Sequence, residues 1–127
     1  MHVAAARGHV GVLRVLAGLA AEMNEKDEMG DTPVILAASA GKLQAVELLC
    51  NTGADEELTN KLGWTPLFAA AQHGHLEVVR HLVDINADPE ATAHNGNTPI
   101  SVAAAHGHNR VKSYLEGVVA ETRLPDD

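Results

Sequence analysis

The sequence predicts an all-α fold, a solenoid of stacked helix-turn-helix units joined by hairpin-like turns. Three observations predict it. A Thr-Pro-apolar tripeptide recurs every 33 residues, at Thr32-Pro33-Val34, Thr65-Pro66-Leu67 and Thr98-Pro99-Ile100. Glycines keep the same step at Gly8, Gly41, Gly74 and Gly107, and a second series, Gly30, Gly63 and Gly96, runs in phase with them. Paired alanines follow at Ala4-Ala5, Ala37-Ala38, Ala70-Ala71 and Ala103-Ala104. Self-similarity at one period means stacked units rather than a globule around one central site. Such a stack offers a long surface and usually no catalytic pocket.

The unit at residues 60–92 shows the local reasons. Lys61-Leu62-Gly63-Trp64 reads as a turn, with Gly63 supplying positive φ at little cost. The Thr65 hydroxyl can cap a helix N-terminus, and Pro66 suits the first helical position, where its missing N–H is harmless. A short alanine-rich helix is predicted over 67–73, ended by Gly74 in a left-handed conformation. A second helix follows over 76–84, with Leu76, Val78, Val79, Leu82 and Val83 on its apolar side. Asn86-Ala87-Asp88-Pro89 leads out to the next turn. By register the chain divides into units 1–26, 27–59, 60–92 and 93–119, with a tail at 120–127, all in one domain. The alanines let neighbouring first helices approach closely while bulkier second helices stand farther apart, which bends the stack.

The ends differ from the middle. Lys112 and Glu116 stand where the preceding unit has Val79 and Val83, so the last unit reads as a polar cap followed by a frayed tail from Arg123. The first unit opens without its turn or Thr-Pro. It is either a trimmed start or a piece of a longer array, and the register of Met1 favours the start. The apolar stretch from Val10 to Ala21 has the look of a signal-peptide core, but Arg14 interrupts it and it fits the repeat register, so it reads as a helix.

Composition narrows the partners. The chain has 127 residues and a net charge of −8, which does not attract phosphate backbones or anionic membranes. Hydrophobic residues make up 46% and aromatics only 2%, so the core is mostly Ala, Val and Leu. A lone cysteine forms no internal disulfide, which suits a cytoplasmic location, with the nucleus as a further possibility. No apolar run reaches spanning length. A monomer is expected.

The pattern resembles the ankyrin repeat, with its T-P-L-H-x-A signature, over nearly the whole chain. The signature leucine is matched by Met1, Val34, Leu67 and Ile100. Its histidine is kept only at His2 and is replaced by Ile35, Phe68 and Ser101, which weakens the polar tie this histidine usually makes between loops. The Gly-His pair stands at Gly8-His9, Gly74-His75 and Gly107-His108, and becomes Gly41-Lys42 in the second unit. The resemblance implies a non-catalytic module that binds a partner protein through turn tips and exposed first-helix residues in a concave groove. Carried over by register, the turn residues are Glu28, Met29, Asp31, Lys61, Leu62, Trp64, His94, Asn95 and Asn97. The principal first-helix residues are Gln72, His73 and His106, with Arg7, Ser39, Ala40 and Ala105 beside them. The family also contains stand-alone inhibitors or regulators of enzymes such as kinases, and repeat portions of larger multidomain proteins.

Trp64 is the sharpest candidate, because tryptophan is enriched among interface hot spots. Met29 and Leu62 can widen its apolar patch. The alternative is that Trp64 packs along its own hairpin and only stabilises the turn. His73-Gly74-His75 and His106-Gly107-His108 suggest a metal site, but His75 and His108 are framework residues, leaving only His73 and His106 free to face the groove. No metal and no cofactor are therefore expected. Ser39, Ser101 and Ser113 lack a nucleophile setting, and no phosphate loop or carboxylate pair stands out. Cys50 takes the slot of Val83 and reads as a buried small hydrophobe. The clusters Asp55-Glu56-Glu57 and Asp84/Asp88/Glu90 read as solvated faces, or as charge that steers a basic partner. Asn24, spaced after Leu16 and Glu22-Met23, resembles the asparagine hydroxylated in some ankyrin repeats. The other reading is a turn asparagine bonding its own backbone.

Overall fold

The computed structural model describes residues 2–18 and 24–122, and among these it contains eight α-helices and no strand. They pair as α1 (His2–Arg7) with α2 (Val10–Gly18), α3 (Pro33–Ser39) with α4 (Leu43–Asn51), α5 (Pro66–Gln72) with α6 (Leu76–Asp84), and α7 (Pro99–Ala105) with α8 (Asn109–Thr122). The Met1 register match, residues 19–21 of the expected first-unit helix, Glu22-Met23 and the expected tail from Arg123 lie outside the described residues.

Each complete unit starts the same way for the same reason. Thr32, Thr65 and Thr98 hold extended backbone, and their hydroxyls accept from the amides of Ile35 (3.3 Å), Phe68 (3.2 Å) and Ser101 (3.1 Å). These are three helix donors that would otherwise have no partner within the helix. In α7 the Ser101 hydroxyl returns the bond to the Thr98 amide (2.8 Å) and closes a capping box. In the third unit the first helix is Pro66–Gln72, one residue earlier than expected, with His73 as its C-cap. Asn86 adopts positive φ (71°) at the exit where the second unit uses Gly53 (111°). This is why asparagine is tolerated at that step.

First helices pack against first helices in the order α1, α3, α5, α7, with second helices α2, α4, α6, α8 stacked behind them. Ala5, Ala38 and Ala71 are fully buried in the first row. Leu13, Val46, Leu49, Val79, Leu82 and Leu115 fill the space between rows as one continuous cluster. Helix α8 runs three residues past Val119, where the fourth unit was expected to end. Leu115 and Val119 are buried along it, and its sequence has no proline before Pro125 to stop it.

The loop glycines do two things at once. Gly74 sits at φ 74°, and a Cβ there would lie 2.5 Å from Nδ1 of His108. Gly107 has the same φ of 74° but nothing within 4 Å of such a Cβ. Gly107→Ala therefore carries only the left-handed strain, about 1–2 kcal/mol. Gly74→Ala adds a clash with the next unit and should cost measurably more. Urea denaturation of the two variants side by side checks this, and equal costs would show that His108 yields freely.

Candidate interaction cleft at the hairpin tips

Side-chain amides and carboxylates build the turns. Asp27 Oδ1 accepts from the amides of Met29 (3.0 Å) and Asp31 (2.9 Å). In the next turn Asn60 Oδ1 accepts from Leu62 (2.9 Å) and Trp64 (3.0 Å), while its Nδ2 donates to Asp31 Oδ1 (2.9 Å). Backbone bonds then lock turn to turn: Lys61 N donates to Met29 O (3.1 Å) and His94 N to Leu62 O (3.0 Å). These bonds hold neighbouring tips in register.

Between the first two complete turns lies a cleft of about 170 Å³. Met29, Leu62 and Trp64 form its outer wall, Ile35, Leu36 and Ala69 its apolar floor, and Asp31, Ser39 and Asn60 its polar edge. Trp64 is half-buried, with its ring on Phe68 at 5.4 Å between centroids and a tilt of 35°. It thus packs on its own unit and lines the cleft together. Met29 and Leu62 are among the exposed large hydrophobic residues.

Five expected interaction residues therefore meet at this cleft: Met29, Asp31, Ser39, Leu62 and Trp64. Glu28 and Lys61 are exposed beside it. Gln72 is half-buried near the end of α5 and His73 is exposed as the cap. Asn95 and Asn97 are exposed, with Asn95 Oδ1 accepting from Asn97 N (3.0 Å). His94 stays exposed, but its ring lies on Gly63, where a Cβ would be 2.5 Å from Cδ2, and its Nδ1 bonds the Lys61 carbonyl (3.1 Å). The floor residues Ile35, Leu36 and Ala69 and the edge residue Asn60 were not anticipated. The available clue was the lost signature histidine. His2 donates from Nε2 to the carbonyls of Glu25 (2.8 Å) and Asp31 (3.1 Å). Ile35 and Phe68 in that slot cannot make such bonds, Asn60 Nδ2 ties the neighbouring turns through Asp31 Oδ1, and Ile35 lines the cleft with an apolar side chain.

His106 is exposed, and its Nδ1 bonds the Val102 carbonyl of its own helix (3.0 Å). Two expectations need correction. Among the described residues the bond of Asn24 goes to the next unit rather than to its own turn: its Oδ1 accepts from Asp55 N (2.8 Å), as Glu57 Oε1 accepts from Asp88 N (3.2 Å). Cys50 is half-buried rather than buried, and burial, then Glu56, pushes its thiol up to about 11. A thiol this reluctant to ionise is a poor nucleophile. Among the described residues no three His, Cys, Asp or Glu side chains group to hold a metal ion, and no helix is long and apolar enough to cross a membrane.

Stacked helix pairs with capped Thr-Pro starts and hairpins laddered at one period define a repeat protein of the ankyrin type. A model of ankyrin repeats (three copies) matches residues 1–93, and the chain belongs to the ankyrin repeat family. Residues 99–122 add a further helix pair of the same design beyond that match. Comparison with curated proteins finds no significant match. Ankyrin repeats are generally protein–protein interaction modules and are typically non-catalytic.

Two groups near the repeat joints make stability pH-dependent. Burial raises the Glu57 carboxyl, with Asp88, Glu56 and Asp55 adding to the rise against the opposing Asp88 N–H. A raised carboxyl favours folding below the ordinary carboxylate range, and that contribution is lost as pH rises through the raised value. Burial, then His75, His106 and His108, holds His73 below the usual imidazole range. Its contribution is present above the ordinary imidazole pKa and lost as pH falls through the lowered value. Glu57→Gln keeps an acceptor for Asp88 N and should raise the melting temperature at neutral pH, with the gain vanishing in acid. His73→Gln should shrink the loss of stability on acidification through the imidazole range. Melting curves across pH read both, and unchanged profiles would mean these groups do not couple to folding.

Proposed function

We propose that this chain is a non-catalytic module that binds a partner protein along the side formed by its hairpins and first helices. The observation that carries this reading is the cleft at Trp64. It is preformed, open, apolar at its floor and walled by the exposed Met29 and Leu62. A preformed site binds without the cost of ordering loops. Glu28 and Asp31 on one side and Lys61 on the other supply charge for orientation rather than bulk affinity. The excess of carboxylates argues for a protein partner over nucleic acid or an anionic membrane. The cytoplasm or nucleus suits a single unpaired thiol.

Capture from lysate with wild type and Trp64→Ala tests the reading, with equal helicity of both confirmed by circular dichroism. A partner held by wild type should bind the variant more weakly by roughly 30-fold, the equivalent of about 2 kcal/mol. Equal capture would place binding elsewhere and leave Trp64 as a turn support for Phe68.

A further inference from the structure

Charge in this chain is sorted between the two ends of the first helices. The hairpins lie at one end, where segments 24–31, 55–64 and 88–97 hold nine carboxylates and two lysines. The turns from first to second helix lie at the other end, about 10 Å away along the seven residues of α5. Those turns, 7–9, 39–42, 72–75 and 105–110, carry Arg7, Lys42, Arg110 and five histidines, with no carboxylate. A chain of net charge −8 thus keeps one edge whose turns hold no negative side chain.

Contacts draw these residues into one strip. The Lys42 side chain lies over Gly8, where a Cβ would be 2.9 Å from its Cδ, and the His75 and His108 rings lie over Gly41 and Gly74 in the same way. The His73 and His75 rings stand 6.2 Å apart between centroids, as do those of His106 and His108. After burial, it is His75, His106 and His108 that hold the His73 imidazole low, so the four rings share one field. The hollow beside them, of about 380 Å³, runs from Gly41 past Gly74 and His75 to Arg110. Glu77, in the first turn of α6, is the carboxylate of its lining. Among the described residues no three such side chains converge to hold a metal ion, so the cluster is a charged surface. Charging it leaves its ties in place. His75 Nε2 donates to Ser39 O (3.0 Å) and His106 Nδ1 to Val102 O (3.0 Å). A ring that donates through one nitrogen takes a further proton on the other and keeps the bond.

We propose that this edge is a second docking surface, which takes an acidic segment of a protein partner, its carboxylates set against Lys42, Arg110 and the exposed His73 and His106. A short acidic segment touches this edge alone. A nucleic acid is a longer polyanion and also meets the carboxylates of the remaining surface. The imidazoles make the surface tunable, because the edge gains charge as pH falls through their range. A bound carboxylate favours the charged ring, so binding takes up protons. The surface is independent of the Trp64 cleft, which lies at the hairpin end of the same helices.

Titration with a fluorescent oligoglutamate peptide at low salt tests this. Affinity should rise roughly tenfold from neutral pH to just below the imidazole range, the worth of two surface ion pairs at the upper end of their usual strength. Added salt should weaken the binding. Calorimetry in buffers of different ionisation enthalpy should show proton uptake. Arg110→Glu should weaken binding at every pH, and His73→Gln/His106→Gln should remove most of the pH dependence. All three side chains are exposed, and circular dichroism should show an unchanged fold. Trp64→Ala should bind the peptide as wild type does, which separates this edge from the partner cleft. Absence of saturable binding at mildly acidic pH overturns the proposal, as does an affinity flat across the imidazole range or untouched by Arg110→Glu. Tighter binding of single-stranded DNA of equal charge would assign the edge to nucleic acid instead. Wild-type dimers dispersed by Arg110→Glu would assign it to the hairpins of a second copy. Either result also overturns the proposal.

Discussion

Close packing of alanine-faced first helices is the contact on which the rest of the structure depends. Ala5, Ala38 and Ala71 have no exposed surface, so a larger side chain there would have to displace a neighbour. These helices have six or seven residues and would not persist alone. They exist because a Thr cap starts each complete one, a proline pre-sets its first turn, and a neighbouring copy covers its flank. Stability in such a stack is close to a sum over units and their joints. Among the described units, the second and third have a joint on both sides, and the first and fourth have a described joint on one side.

The same spacing that packs the helices sets the surface. Because the turns are laddered by Lys61 N to Met29 O and His94 N to Leu62 O, side chains at one register position line up along the tips. Variation at those positions becomes a pattern in space. The framework slot of His2 shows how. Where Ile35 and Phe68 stand in place of histidine, Asn60 and Asp31 tie the turns, Trp64 lies on Phe68, and Ile35 lines an apolar cleft.

Much of this was legible in the residues. Helix starts, the Gly74 stop and the two-row arrangement follow from local chemistry: a hydroxyl three residues before an amide, a proline without its N–H, a glycine at positive φ. The joining of Met29, Asp31, Leu62 and Trp64 followed from register. The floor of the cleft did not, because Ile35, Leu36 and Ala69 face it only once two hairpins and two helices are set side by side. The bonds of Asn24 and Glu57 to the next unit were hidden for the same reason, since their partners Asp55 and Asp88 lie 31 residues away. The run of α8 to Thr122 depends on Leu115 and Val119 finding cover, which periodicity alone does not state.

If stability resides in joints between like units, protection should follow the number of joints. Native-state hydrogen exchange at low protein concentration measures this amide by amide. The account predicts slowest exchange in α3 and α5, which have neighbours on both sides, and faster exchange in α1 and α7. Uniform protection along all four first helices, or a maximum in α8, would contradict it and point to one indivisible core instead.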